Sequence, residues 1–163
     1  MAASVKSECK VRLLGLGNEI LADDAFGILV AREVERRFEG RLDVAFSSAS
    51  GFHLMDHLLG MPRLVVVDTV MTGASKPGTI RVFSEKDVPA VYVGSAHCAG
   101  IFDVLAVARE LHLPAPEEAV FIGVEASDCT TVGGPIHPDV EAAIPKVLDL
   151  VERFLAYGQD GLK

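Results

Sequence analysis

Short apolar runs alternate along the chain with stretches whose apolar residues recur every three or four positions. Val11-Arg12-Leu13-Leu14, Leu64-Val65-Val66-Val67-Asp68 and Val120-Phe121-Ile122-Gly123-Val124 have the length and bulk of strands covered on both faces. Weaker strand patterns run from Leu42 to Ser47 and from Thr79 to Phe83, the latter just after a Pro77-Gly78 turn signal. Helical patterns fill the gaps. Ile28, Ala31, Val34 and Phe38 form one stripe of a helix from Phe26 to Phe38. Leu54, Leu58 and Leu59 mark a second, stopped by Gly60 and Pro62; Ile101, Leu105, Ala108 and Leu111 mark a third, ended by Pro114 and Pro116. A fourth runs from Pro138 to Tyr157, with Val140, Ile144, Val147, Leu148, Val151 and Leu155 facing inward and Gly158 as its stop.

Strands alternating with helices predict an α/β fold. The expected form is a three-layer αβα sandwich, with a mostly parallel, twisted sheet of about five strands flanked by helices. An antiparallel edge strand is expected near residues 79–83. No internal repeat or linker breaks the chain, so residues 1–163 read as a single domain. Half of the residues are hydrophobic, enough for a substantial core. The net charge of −8 argues against a nucleic-acid or anionic-membrane partner and is compatible with a basic peptide or a metal cation. Met1 to Lys10 has no apolar signal region, and no apolar run approaches the roughly 18 residues of a membrane span. Cys9, Cys98 and Cys129 are odd in number and widely spaced, which fits neither a disulfide framework nor a CxxC knuckle. A cytoplasmic protein is expected. The sequence does not read out an oligomeric state.

The chemistry concentrates at strand ends. Gly15-Leu16-Gly17-Asn18-Glu19-Ile20-Leu21-Ala22-Asp23-Asp24-Ala25 joins the first strand to the first helix and carries two adjacent acids. Asp68 closes the central apolar run, and His97 stands in Gly94-Ser95-Ala96-His97-Cys98-Ala99-Gly100 just before the third helix. In α/β proteins ligands bind at the carboxyl ends of the strands. Two carboxylates and an imidazole from three such junctions make a candidate site for a divalent metal with open positions. Each residue also has a plain structural reading. Asp24 fits a first-turn acid, Asp23 a cap, Asp68 the cap of a following turn, and His97 a loop or cap residue. Spacing alone leaves both readings open. His53 and His57 lack the HExxH pattern and read as a partly exposed helix face. His112 suits a helix end and His137 a helix start. Cys98 reads as a small buried thiol, and Glu125 is a candidate to line the same cleft.

Gly15-Leu16-Gly17-Asn18 followed by Leu21-Ala22-Asp23-Asp24-Ala25-Phe26-Gly27 resembles the opening signature of the hydrogenase maturation endopeptidases. These enzymes remove a C-terminal tail from the large subunit of nickel–iron hydrogenases. The resemblance continues through Val65-Val66-Val67-Asp68, Pro77-Gly78-Thr79, Ser95-Ala96-His97 ahead of Asp103-Val104-Leu105, Ile122-Gly123-Val124-Glu125 and the last helix. It implies Asp24, Asp68 and His97 as metal ligands and catalytic residues. It also implies nickel carried by the substrate as the recognition element, with zinc or cadmium as substitutes in vitro, and a hydrogenase large-subunit precursor as partner. One departure stands out. The family carries an acid where this chain has Phe46, within Phe46-Ser47-Ser48-Ala49-Ser50-Gly51, which bears on the identity of the substrate.

Other readings are a metal-dependent binding or chaperone-like relative without protease activity, and a nucleotide-binding module. The second lacks the third glycine of GxGxxG, with Ile20 in its place, and sets two acids where a pyrophosphate would sit. A peptidyl-tRNA hydrolase would need a Pro-Gly and a nearby histidine, both missing after Asn18.

Overall fold

The structure, a computed structural model, describes residues 10–87 and 96–163, with the backbone alone for 96–99. Along the chain run β1 (Val11–Leu16), a 3₁₀ turn (Ala22–Ala25), α1 (Phe26–Arg37) and β2 (Asp43–Ser47). A second 3₁₀ turn (Gly51–Leu54) leads into α2 (Met55–Leu58), followed by β3 (Arg63–Val70) and β4 (Ile80–Ser84). Then come α3 (Ala96–Glu110), β5 (Glu118–Glu125), α4 (Pro138–Glu141), α5 (Ile144–Tyr157) and a last 3₁₀ turn (Gly158–Leu162). The sheet order is β2-β1-β3-β5-β4. β1 pairs parallel with β2 and β3, and β3 with β5, while β4 closes the edge antiparallel to β5. The five-stranded, mostly parallel sheet with one antiparallel edge strand is the expected architecture.

The pleat explains the layers. Successive residues of β3 point to opposite faces. Val65 and Val67 join a core with Leu13, Ile122, Phe26, Val34, Val147 and Phe154, which packs α1, α4 and α5 on one face. Leu64 and Val66 join Leu14, Phe121, Leu54, Leu58, Ile101 and Leu105, which packs α2 and α3 on the other. A strand buried on both sides needs the continuous apolar run seen in the sequence.

Several boundaries differ from the sequence pattern. β1 continues through Gly15 and Leu16, which still pair with β2. β3 continues to Val70, so Asp68 lies inside the strand rather than closing it. The single helix expected over 138–157 is two, α4 and α5. Pro145 has no N–H to carry the first helix onward, yet fits the opening turn of the next. The second helix is one 3₁₀ turn and one α turn.

Two motif glycines fix how α1 meets the sheet. A Cβ on Gly27 would stand 2.1 Å from the Leu16 carbonyl oxygen and 2.6 Å from that of Val67. α1 therefore starts with its backbone directly on β1 and β3. Gly17 has φ +142, and a Cβ there would lie 1.9 Å from the Asp24 carbonyl oxygen. The turn after β1 thus folds back onto the residue that bears a candidate ligand.

Gly27→Ala is expected to destabilise the fold by about 1–3 kcal/mol through overpacking, although alanine is about 1 kcal/mol the better helix former. Urea denaturation measures this, and an unchanged midpoint would show that α1 can lift off the strands at no cost.

Candidate active site

The carboxyl ends of β1, β3 and β5 meet around Thr69. Its N–H donates to Asp68 Oδ1 at 2.8 Å, and its hydroxyl lies 3.4 Å from Asp24 Oδ1. Asp68 is fully buried, and Asp24 is half-buried at the end of the β1–α1 joint, just before α1. By the pleat, Asp68 stands on the sheet face that α3 covers and Thr69 on the face that α1 covers. Two of the three residues picked out by the sequence therefore neighbour Thr69, Asp68 at its amide and Asp24 at its hydroxyl. His97 falls in the first turn of α3, and its side chain, like that of Cys98, lies outside the described residues. Among the described residues no three His, Cys, Asp or Glu side chains form a group able to hold a metal ion. Asp24 and Asp68 supply two oxygen donors, a set that suits a divalent ion once an imidazole completes it.

The neighbouring acids do different work. Asp23 is 1% exposed. Its Oδ2 accepts the N–H groups of Ser127 and Asp128 at 2.7 and 2.9 Å, and its Oδ1 accepts that of His137 at 2.6 Å. Its own N–H donates to the Asp128 carbonyl at 2.8 Å. Asp23 is therefore a clamp on the β5–α4 loop, not the cap expected of it. Its partners lie more than a hundred residues away, where no local pattern could show them. Glu125 does not line the cleft with an open carboxylate either. It accepts the N–H groups of Thr72 and Gly73 at 2.8 and 2.9 Å and the Thr72 hydroxyl at 2.7 Å, holding the β3–β4 loop. His137 starts α4 as expected, its Nδ1 accepting the Asp139 N–H at 3.2 Å. His53 and His112 are exposed, and the carbonyl of His57 accepts from the Arg12 guanidinium.

Two side chains of this cluster carry no sequence signal. Thr69 follows an acid in a strand, and Cys129 sits in a polar loop. Cys129 Sγ lies 3.6 Å from the Thr69 hydroxyl. Burial above all pushes its thiol up from the ordinary 9.0 to about 11; the Thr69 hydrogen bond acts the other way, and Asp24, Asp23 and Asp68 add to the rise. Asp128 is held well below the usual carboxylate range by the Thr131 hydroxyl, then by the Thr130 amide and hydroxyl and the Thr131 amide.

A parallel α/β sheet with paired acids at its carboxyl edge defines a class, α/β enzymes and binding proteins that work above the strand ends. Comparison with known proteins narrows the class to one family. Residues 28–154 match the HycI hydrogenase maturation protease family, and the chain belongs to it. It is 26% identical to the hydrogenase 2 maturation protease of Escherichia coli K12, covering 87% of this chain and 88% of that protein. It is 29% identical to the hydrogenase expression/formation protein HupD of Bradyrhizobium diazoefficiens, covering 90% and 78%. The NiFe hydrogenase maturation protease HybD of Thermococcus kodakarensis superposes with a TM-score of 0.70 at 27% identity, over 90% of this chain and 99% of that one. The chain is thus a hydrolase of peptide bonds in hydrogenase maturation, a family that acts on hydrogenase subunit precursors. No helix among the described residues is long and apolar enough to cross a membrane.

Asp23→Asn is expected to cost about 2–4 kcal/mol, because an amide NH₂ faces backbone donors that lose a carboxylate partner. Hydrogen exchange at the amides of Ser127, Asp128 and His137 should speed up first, and wild-type protection there would remove the clamp. At pH 8 Cys129 should alkylate about 100-fold more slowly than an ordinary thiol, in step with its smaller thiolate fraction. Mass spectrometry of the Cys129 peptide reads this, and an ordinary rate would contradict it.

Proposed function

We propose that this protease removes the C-terminal tail of a nickel-loaded large-subunit precursor of a nickel–iron hydrogenase, with the substrate's nickel as the signal that assembly is complete. Asp24, Asp68 and His97 are the residues proposed to meet that nickel. The observation that carries the reading is that Asp24 and Asp68 both neighbour Thr69 near the carboxyl ends of the strands. Membership of a maturation protease family supports the reaction class.

In this reading the chain positions its substrate by binding the metal the substrate brings. Asp68, buried and oriented by the Thr69 amide, is held in one geometry before the substrate arrives. Asp24, half-buried on the turn, is open to an incoming peptide. A divalent ion held there polarises a nearby carbonyl or lowers the pKa of a bound water. Holding the tail beside it turns hydrolysis into a local step.

Incubation with the nickel-containing precursor should release the tail, seen as a loss of mass, and the nickel-free precursor should stay intact. His97→Ala and Asp68→Asn should each slow cleavage ~100-fold or more while circular dichroism stays that of the folded protein. Wild-type rates in both variants would discard the assignment of these ligands, and equal cleavage without nickel would discard the metal's role.

A further inference from the structure

Exposed large apolar side chains are not scattered over this molecule. Of nine among the described residues, five border the carboxyl ends of the strands: Ile20, Phe46, Phe52, Met71 and Val132. Ile20 lies in the β1–α1 joint, Phe46 near the end of β2, Phe52 in the turn after it, Met71 after β3 and Val132 after β5. These are the segments around Asp24, Thr69 and Asp68. Single exposed apolar residues are ordinary, whereas a grouping around one site marks an interaction surface.

The group is held in place. Val132 is 73% exposed and Ile20 60%, yet their segments are pinned together. Leu21 and Val132 form an antiparallel bridge, the Gly133 N–H donates to the Ile20 carbonyl at 2.7 Å, and the Ile20 N–H donates to Asn18 Oδ1 at 3.2 Å. The Asp23 carboxylate clamps both ends of the loop that bears Val132. A surface ordered before contact loses less entropy on binding. Residues 18–24, 46–53, 71–75 and 126–137 contain no lysine or arginine. Glu19 is paired with Arg32 at 2.6 Å and Arg81 reaches the Ser75 hydroxyl, so the acidic character of the edge comes from Asp24 and Asp128.

We propose that Ile20, Phe46, Phe52, Met71 and Val132 form an apolar collar on which the folded body of the hydrogenase precursor docks, through an apolar patch bordered by lysine or arginine. The proposal rests on the assignment of that precursor as substrate and adds the surface that recognises it. The collar is continuous with the site that must reach the scissile bond, which selects the precursor over a second copy of this chain. Affinity is then carried by the collar, separately from the acids that meet the metal.

The test uses Ile20→Ser, Phe52→Ser and Val132→Ser combined in the full-length protein; serine adds no charge to an acidic chain. A control carries Leu111→Ser, just after α3, and Tyr157→Ser, the last residue of α5, exposed apolar residues at the opposite, amino edge of the sheet. Thermal unfolding confirms that both variants fold. Affinity for the uncleaved large-subunit precursor from the same organism is measured by biolayer interferometry, and tail release is followed separately by mass. The collar variant should bind at least tenfold more weakly, with the control within twofold of wild type. Wild-type affinity in the collar variant, equal weakening in both variants, or no binding by the wild type would overturn the collar. Tail release is an independent reading: wild-type binding without cleavage, lost in the collar variant, removes the proposed tail removal and keeps the collar, while cleavage with unchanged collar affinity does the reverse.

Discussion

One backbone-on-backbone contact organises the structure: α1 begins against β1 and β3 with no room for a side chain at Gly27. Gly15 faces it from the strand, where a Cβ would stand 2.3 Å from the Gly27 carbonyl oxygen. Because the helix start is pressed this close, the connection from β1 must turn sharply. It does so with Gly17 at positive φ and with Ala22 at φ 37, a left-handed conformation that alanine adopts only under constraint. The four-residue 3₁₀ turn that results sends Asp23 toward the β5–α4 loop and Asp24 toward Thr69. Adjacent acids thus acquire unrelated roles from one packing contact.

Burial of a carboxylate demands partners, and the partners reveal the role. Asp23 and Glu125 each accept three hydrogen bonds from loop groups, so their charge is spent on holding chain segments. Asp68, equally buried, takes a bond from the next residue's amide and stands beside the turn that bears Asp24. The two clamps tie down the β3–β4 and β5–α4 loops on either side of this pair. Rigid loops around a carboxylate pair suit a protease of hydrogenase maturation, whose substrate is a protein and whose edge must therefore offer shape as well as donors. The apolar side chains on the same loops fit that demand.

Much of the architecture was legible in the residues. Continuous apolar runs such as Val65-Val66-Val67 read as doubly covered strands, and the stripe of Val147, Leu148 and Val151 as a buried helix face, because both patterns follow from local geometry. The motif from Gly15 to Gly27 located the β1–α1 joint and its acids. Less was legible where a distant partner decides. Asp23 reads as a cap until its donors at Ser127, Asp128 and His137 are in view. Glu125 reads as a cleft acid until Thr72 and Gly73 fold onto it. Thr69 and Cys129 have no motif at all. Pro145 was visible, but its division of the last helix was not, since a proline fits a helix start as well as it ends a helix.

Order of elements, sheet type and the neighbourhood of the site thus follow from the chain read one stretch at a time, since periodicity and turn chemistry act over a few residues. Which acids clamp distant loops, which threonine lies beside both Asp24 and Asp68, and where the exposed apolar residues gather were settled by folding. Those outcomes depend on groups far apart in the chain that only the crossing of β1, β3 and β5 brings within hydrogen-bond reach.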